Sequence, residues 1–326
     1  MRPLVVVGDA LLDIDLVGRS DRLCPDAPVP VVEDVTEQAR PGGAALAAIL
    51  AADDGRDVVL IAPVADDADG AQLRSLLKDR VRLIAVPIDG QTPVKRRVRV
   101  NGQSLVRLDS GRVGSTIGAL PAEAVEALRT ATAVLVSDYG RGITGRPDVR
   151  SSLAGAGSVV WDPHPRGVEP VRGVRLVTPN AAEAAGAAGS TGSSLADVGR
   201  QAAELVASWQ AGAVAVTIGS RGALLSYGDG APFVVPAAYV AGGDSCGAGD
   251  RLLRPRPGCW PTGRSCPTPW LVRSQRPLIS SPRVALPGGR PAYRRPNRTA
   301  AAPPSRSSAG SGPQEVRRSP PEGAST

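Results

Sequence analysis

The sequence predicts an α/β protein, built on a mostly parallel sheet with helices on both faces and a small β layer beside it. Three observations predict it. Short, nearly continuous β-branched runs alternate with Ala- and Leu-rich helical stretches through residues 1–250, as strands covered on both faces and their crossover helices do. One stretch, 92–109, breaks that alternation with strand character around a tight turn. Beyond Asp250 the periodicity stops.

Taken in order, Leu4–Val7, Val58–Val64, Arg82–Ile88, Ala133–Val136, Val159–Trp161, Arg175–Val177 and Val214–Ile218 read as buried strands. Ala44–Ala52, Ala68–Leu77, Ala122–Arg129 and Leu195–Trp209 read as helices between them. Asp66 and Asp67 precede the second helix, and Ser193 and Ser194 the fourth, as capping side chains. Asn101-Gly102 marks a hairpin within 92–109. Pro28–Val35 reads as extended, and with the hairpin it forms the small β layer.

Composition narrows the function classes. The chain has 326 residues, is 42% hydrophobic and only 3% aromatic, so its core is aliphatic. No apolar run reaches the length of about 20 residues that a membrane span needs. The first strand starts at Leu4 without a secretory leader ahead of it, and the four cysteines (Cys24, Cys246, Cys259, Cys266) form no CxxC pair. Both features lead us to expect a cytoplasmic protein with free thiols. The net charge of +7 divides unevenly. Residues 251–326 hold 14 Arg, no Lys and two acids, which is +12, leaving the first 250 residues at −5. The basicity therefore belongs to a Pro- and Arg-rich tail with few aromatics (Trp260, Trp270, Tyr293) and no helical periodicity, and nucleic acid or membrane is not an expected partner.

Five constellations carry chemistry. Gly247-Ala248-Gly249-Asp250 puts small residues where backbone N–H groups converge on an anion, with a carboxylate placed to accept a hydroxyl proton. The same residues also read as a glycine-rich turn with an acidic cap. Thr217 to Gly222 (TIGSRG), after a strand, suits a nucleotide at the edge of an open sheet, or a tight turn into another strand. Asn180 and Glu183, three apart at a helix start, suit a hydrated Mg²⁺ or a capping box. Lys95 and Arg97 share one strand face, and with Arg107 across the hairpin they suit a phosphate or a charged edge strand. Asp13, in GDALLD, suits sugar hydroxyls or a solvated loop. His164 reads as a loop residue.

In this order, the segments GDALLDIDLVGRSDRLCPDAPVPVVEDVTEQARPGGAA, TPVKRRVRVNGQSLVRLDSG, VLVSDYGRGIT, DPHPRG, VTPNAAEA, VTIGSRGALL and GGDSCGAGD resemble the ribokinase-like (PfkB) carbohydrate kinases over residues 3–250. APVPVV and VRLD are similar to one branch, the D-glycero-β-D-manno-heptose 7-phosphate kinases of ADP-heptose synthesis. The resemblance implies a ribokinase-like three-layer sandwich whose kinase domain is residues 1–250, with a β lid from about 13–40 and 92–110, and a homodimer through that lid. It implies ATP and Mg²⁺, and phosphorylation of the sugar phosphate at O1. Another sugar or sugar-phosphate kinase of the same family, or an inactive remnant of one, is the competing expectation. It implies Asp250 as base; Gly247, Ala248 and Gly249 as anion hole; Asn180 and Glu183 around Mg²⁺; and Thr217, Gly219 and Gly222 at the nucleotide. Asp13, Gly42 and Gly43 would touch the sugar, and Lys95, Arg97 and Arg107 its 7-phosphate side.

Three positions depart from the family pattern. Leu46 stands where an Asn is usual, Arg141 where a Lys is usual, and Arg251–Gly258 (RLLRPRPG) where a helix should continue. Two prolines there stop a helix after about one turn. The tail reads as an out-of-frame translation or a disordered extension.

Overall fold

The computed structural model describes residues 2–111 and 113–237. The first strand, β1 (Leu4–Gly8), is followed after Asp9 by two long strands, β2 (Ala10–Leu23) and β3 (Pro30–Gly43). Then come α1 (Ala44–Asp53), β4 (Val58–Pro63), α2 (Ala68–Leu77), β5 (Arg82–Val86) and β6 (Ile88–Gly90). The hairpin β7 (Val94–Val100) and β8 (Gln103–Ser110) leads through β9 (Val113–Ile117) to α3 (Ala122–Thr130) and β10 (Ala133–Ser137). The remainder is α4 (Pro147–Ala154), β11 (Ser158–Asp162), β12 (Leu176–Val177), α5 (Ala181–Ala187), α6 (Leu195–Trp209), β13 (Val214–Thr217), β14 (Ala223–Ser226) and β15 (Phe233–Val235).

Nine strands form the main sheet in the order β15-β14-β13-β12-β11-β10-β1-β4-β5. All neighbours are parallel except β13–β14 and β14–β15. Alternation along β1 divides two aliphatic cores. Val5 and Val7 pack with Val134, Val136 and the inner residues of α3, α4 and α6, such as Leu128, Leu153 and Leu205. Leu4 and Val6 pack on the other face with Leu60 and the α1 and α2 residues Ala48 and Leu73. Helices on both faces of a parallel sheet complete the three layers. Helix α1 is almost wholly buried, which fits its composition of Ala, Leu and Ile (AALAAILAAD).

A second sheet of four strands, in the order β3-β2-β7-β8, stands apart from the main one. Its hairpin turns at Asn101 and Gly102, both with positive φ (50° and 79°), and Val100 pairs with Gln103. That two-residue turn matches the right-handed twist of its strands. The expected caps are present. Asp67 accepts the Gly70 N–H at the start of α2, and Ser194 forms a capping box with Asp197 at the start of α6.

Four expectations need correction. The strand expected over 82–88 is two strands, because Pro87, which has no N–H for a ladder, separates β5 from β6. The long strand β2 carries Asp13, which is therefore not in a loop. The extended piece expected at 28–35 is the start of a strand that runs to Gly43. Helix α4 was not anticipated: only Val149 and Leu153 bury a face, and Pro147 opens it at the position where proline is tolerated.

Candidate active site

The C-terminal ends of β1, β10, β11 and β13 line up Asp9, Asp138, Asp162 and Thr217 along one edge of the sheet. Strand order reverses between β1 and β10, since β1 is followed on one side by β4 and on the other by β10. Open α/β sheets bind ligands in the crevice at such a switch point. Two carboxylates sit at it. Asp9 is buried and its Oδ2 accepts the N–H groups of Tyr139 and Arg141, each at 3.0 Å. Its Oδ1 is buried without a hydrogen-bond partner among the described residues. Burial, reinforced by the neighbouring Asp138, raises the Asp9 pKa to about 6. Asp138 accepts from the Gly140 N–H at 2.7 Å and the Thr144 hydroxyl at 2.8 Å, so it shapes the turn that follows β10.

One face of the small sheet adds charge. Arg97 donates to Asp13 at 2.7 Å, with Asp13 buried (6% exposed) and Arg97 partly buried (14%). Asp15, two residues on, receives Arg40 at 2.6 Å and Arg99 at 3.3 Å. Gly42 and Gly43 end β3 beside β2, and a Cβ on Gly42 would lie 2.5 Å from the Asp13 carboxylate. Arg107 on β8 is exposed and paired with Asp109 at 2.9 Å. Lys95 differs from both arginines. Its ammonium lies 5.3 Å from the centre of the Tyr139 ring and makes no direct ion pair among the described residues. Burial lowers its pKa, against the opposing pull of Asp13 and Asp109. The structure thus brings Asp13, Gly42, Gly43, Lys95 and Arg97 together, with Arg107 at their outer margin.

The turn after β11 packs on the turn after β10. The His164 ring stacks beside Tyr139 with centroids 6.4 Å apart. Its Nδ1 accepts the Arg166 N–H at 3.1 Å. Two glycines permit this approach. A Cβ on Gly140, at φ +67°, would lie 2.6 Å from His164 Nδ1, and one on Gly167 would lie 2.2 Å from Asp138 Oδ2. Arg141, where the family pattern has Lys, donates to the Gly111 carbonyl at 2.9 Å and so ties this turn to the end of β8. Leu46 lies half-buried in the first turn of α1.

At the other end of the strand row, contacts are local. Asn180 Oδ1 accepts the Ala182 and Glu183 N–H groups, and Glu183 Oε2 accepts the Asn180 N–H at 2.8 Å. This is the capping box that the spacing allowed. Burial raises the Glu183 pKa, against the hydrogen bonds from Asn180. Asn180 pairs with Thr217 by an isolated parallel bridge. Thr217, Gly219 and Gly222 form a tight turn into β14, closed by Ile218 N–H donating to the Gly222 carbonyl at 2.9 Å. Among the described residues no three metal-ligating side chains cluster. Asp250, Gly247, Ala248 and Gly249 lie outside the described residues.

Sequence reasoning gave no role to Asp9, Asp138, Tyr139, His164 or Arg166. Asp9 and Arg141 are 132 positions apart in the chain, and only the parallel pairing of β1 with β10 brings them together. The position of Asp9 at the end of the first strand was the available signal.

Comparison with known proteins agrees with this architecture. Residues 158–252 match the family described as pfkB family carbohydrate kinase. Over that segment the chain is similar to the PfkB carbohydrate kinases. It is 53% identical over 253 residues to the bifunctional protein HldE of Streptomyces coelicolor, covering 77% of this chain and 54% of that protein. A second relative, HldE of Azorhizobium caulinodans, is 34% identical over 265 residues, covering 78% of this chain and 55% of the relative. The chain thus spans about half the length of these curated relatives. Among solved structures, Arabidopsis thaliana ribokinase complexed with ribose and ATP aligns with a TM-score of 0.58 at 21% identity. That alignment covers 77% of this chain and 83% of the ribokinase. Phosphofructokinase-2 from Escherichia coli, in its tetrameric inhibited form, aligns with a TM-score of 0.59 at 20% identity. It covers 78% of this chain and 85% of that one. These two establish the ribokinase-like fold. No helix among the described residues is long and apolar enough to cross a membrane.

Proposed function

We propose that this domain is a kinase that transfers the γ-phosphoryl group of ATP to O1 of D-glycero-β-D-manno-heptose 7-phosphate, giving the 1,7-bisphosphate used in ADP-heptose synthesis in the cytoplasm. The observation that carries the reading is the 53% identity to a bifunctional HldE protein over 253 residues. The site's chemistry supports it: buried carboxylates for hydroxyls and basic side chains for a phosphate meet at the crevice where the strand order reverses.

Phosphoryl transfer asks the protein chiefly to position the reactants and stabilise charge. Asp250, outside the described residues, takes the proton of the O1 hydroxyl as O1 bonds to the γ-phosphorus. The bond from that phosphorus to the bridging oxygen breaks, and ADP leaves. Gly247, Ala248 and Gly249 offer N–H groups to the transferring phosphoryl oxygens. Asp13, Gly42 and Gly43 hold the sugar, and Thr217, Gly219 and Gly222 face the nucleotide. Asn180 and Glu183 fit an outer-sphere role toward Mg²⁺. The capping box occupies Glu183 Oε2 and leaves Oε1 to a metal-bound water. Mg²⁺ keeps several waters and binds mainly through substrate phosphates, and when bound it neutralises charge on them. Residues 13–40 and 92–110 serve as a lid over the sugar. Exposed Val35, Leu105, Val106 and Leu108 on that sheet favour a homodimer formed through it, checked by light scattering on the purified chain.

The test is ADP release from ATP and Mg²⁺ with heptose 7-phosphate, fructose 6-phosphate and ribose as competing acceptors. The heptose phosphate is expected to give the highest kcat/KM. Asp250→Asn should lower its kcat by about a hundredfold or more. Preference for fructose 6-phosphate would instead favour another sugar-phosphate kinase of this family.

A further inference from the structure

Around Tyr139 the structure gathers more basic groups than the fold consumes. Lys95 lies over one part of the ring and His164 stacks beside it. Arg166, Lys95 and Arg141 are all near enough to His164 to push its pKa down, after burial itself. Nearby carboxylates are already engaged: Asp13 receives Arg97, Asp109 receives Arg107, and Asp138 accepts from Gly140 and Thr144. Among the described residues, neither Lys95 nor the exposed Arg166 guanidinium has an ion-pair partner, and Arg141 is held by a carbonyl instead of a carboxylate. The histidine is specified as well. With Nδ1 accepting from the Arg166 N–H, a neutral ring carries its proton on Nε2 and offers one further N–H donor.

We propose that Lys95, His164 and Arg166, arranged around Tyr139, form the binding site for the remote phosphate of the sugar substrate, and that the turn after β11 is a specificity element for phosphorylated over free sugars. The naming of that ligand as a sugar phosphate rests on the kinase reading; the basic cluster itself does not. In this arrangement Arg97 is a positioning residue for Asp13 and not a phosphate ligand. The packing of the two turns, which only glycine at 140 and 167 permits, makes the cluster a built feature: it fixes His164 and Arg166 against the segment that carries Tyr139.

His164 is the chain's single histidine, so its C2 proton in a tag-free protein reports on the site directly. Titration with heptose 7-phosphate, and separately with inorganic phosphate, is expected to shift that resonance saturably. Lys95→Met and Arg166→Ala should each weaken the response about ten- to a hundredfold, as loss of a charge-assisted hydrogen bond does. In turnover, the same variants should raise KM for heptose 7-phosphate by a similar factor and leave KM for unphosphorylated heptose nearly unchanged. Arg166 is exposed, so its variant keeps the test valid if Lys95→Met folds poorly. A histidine signal indifferent to both anions, or one shifting equally in wild type and variants, overturns the proposal. So does a KM that rises equally for both sugars. Failure of the kinase reading looks different: the histidine responds, but no acceptor is phosphorylated.

Discussion

Lys95 and Arg97 stand two residues apart on one face of β7, yet the fold treats them oppositely. Arg97 is paired with the buried Asp13 at 2.7 Å. Lys95 rests on an aromatic ring without a direct ion pair among the described residues. The same contrast holds between the two ends of the strand row. At the Asn180–Thr217 end, the side-chain hydrogen bonds of Asn180 and Glu183 among the described residues close a short local loop. At the switch point, Asp9 Oδ1, Lys95 and His164 Nε2 retain capacity that no other described residue uses. A binding site is the place where satisfied and unsatisfied groups adjoin. The satisfied ones hold the geometry, and the unsatisfied ones wait for a ligand.

This contrast can be broken by substitution. Arg97→Met should have the largest effect on stability, about 3–5 kcal/mol, because it strands Asp13 as a buried unpaired charge. Urea unfolding measures it, and a loss under about 1 kcal/mol would show that Arg97 is not structural. Asp9 comes next. Its folded pKa of about 6 lies above the 3.8 expected for an unfolded Asp. The folded state therefore binds more protons between those values, and stability falls as pH rises from about 4 to about 6. Two pKa units correspond to about 3 kcal/mol. Asp9→Asn keeps an acceptor for the Tyr139 and Arg141 N–H groups, so it should flatten that part of the pH–stability profile. An unchanged slope would relocate the titration to another group.

Smaller effects sharpen the comparison. Asn180→Ala should cost about 1 kcal/mol through loss of the cap, and raise the Mg²⁺ concentration needed for half-maximal turnover. A stability loss without any change in Mg²⁺ dependence would make the capping box its whole role. Lys95→Met should alter stability least, by under about 1 kcal/mol, since no direct ion pair is broken and a desolvated ammonium is removed. A loss as large as that of Arg97→Met would erase the distinction between the two residues.

What could be read from the sequence was local. The Asn101-Gly102 hairpin, the Asp67 and Ser194 caps and the buried parallel strands each depend on a few neighbouring residues, and all are present. The Asn180–Glu183 capping box was legible for the same reason. The switch-point cluster was not. Asp9 with Tyr139 and Arg141, Arg97 with Asp13, and Lys95 with Tyr139 join segments 44 to 132 positions apart. Their meeting depends on the order of strands in two sheets. His164 carried no pattern that assigned it a role, and its stacking on Tyr139 with the Arg166 N–H on its Nδ1 distinguishes it from an ordinary loop histidine.

The most direct test of the whole account is phosphorus NMR of the purified chain with ATP, Mg²⁺ and heptose 7-phosphate, beside an Asp250→Asn control. The account expects a new anomeric phosphate resonance, ADP in equal amount, an unaltered 7-phosphate signal, and none of the new product in the control. A folded, histidine-responsive protein that yields no anomeric phosphate would contradict it, leaving a domain that binds the sugar phosphate without phosphorylating it.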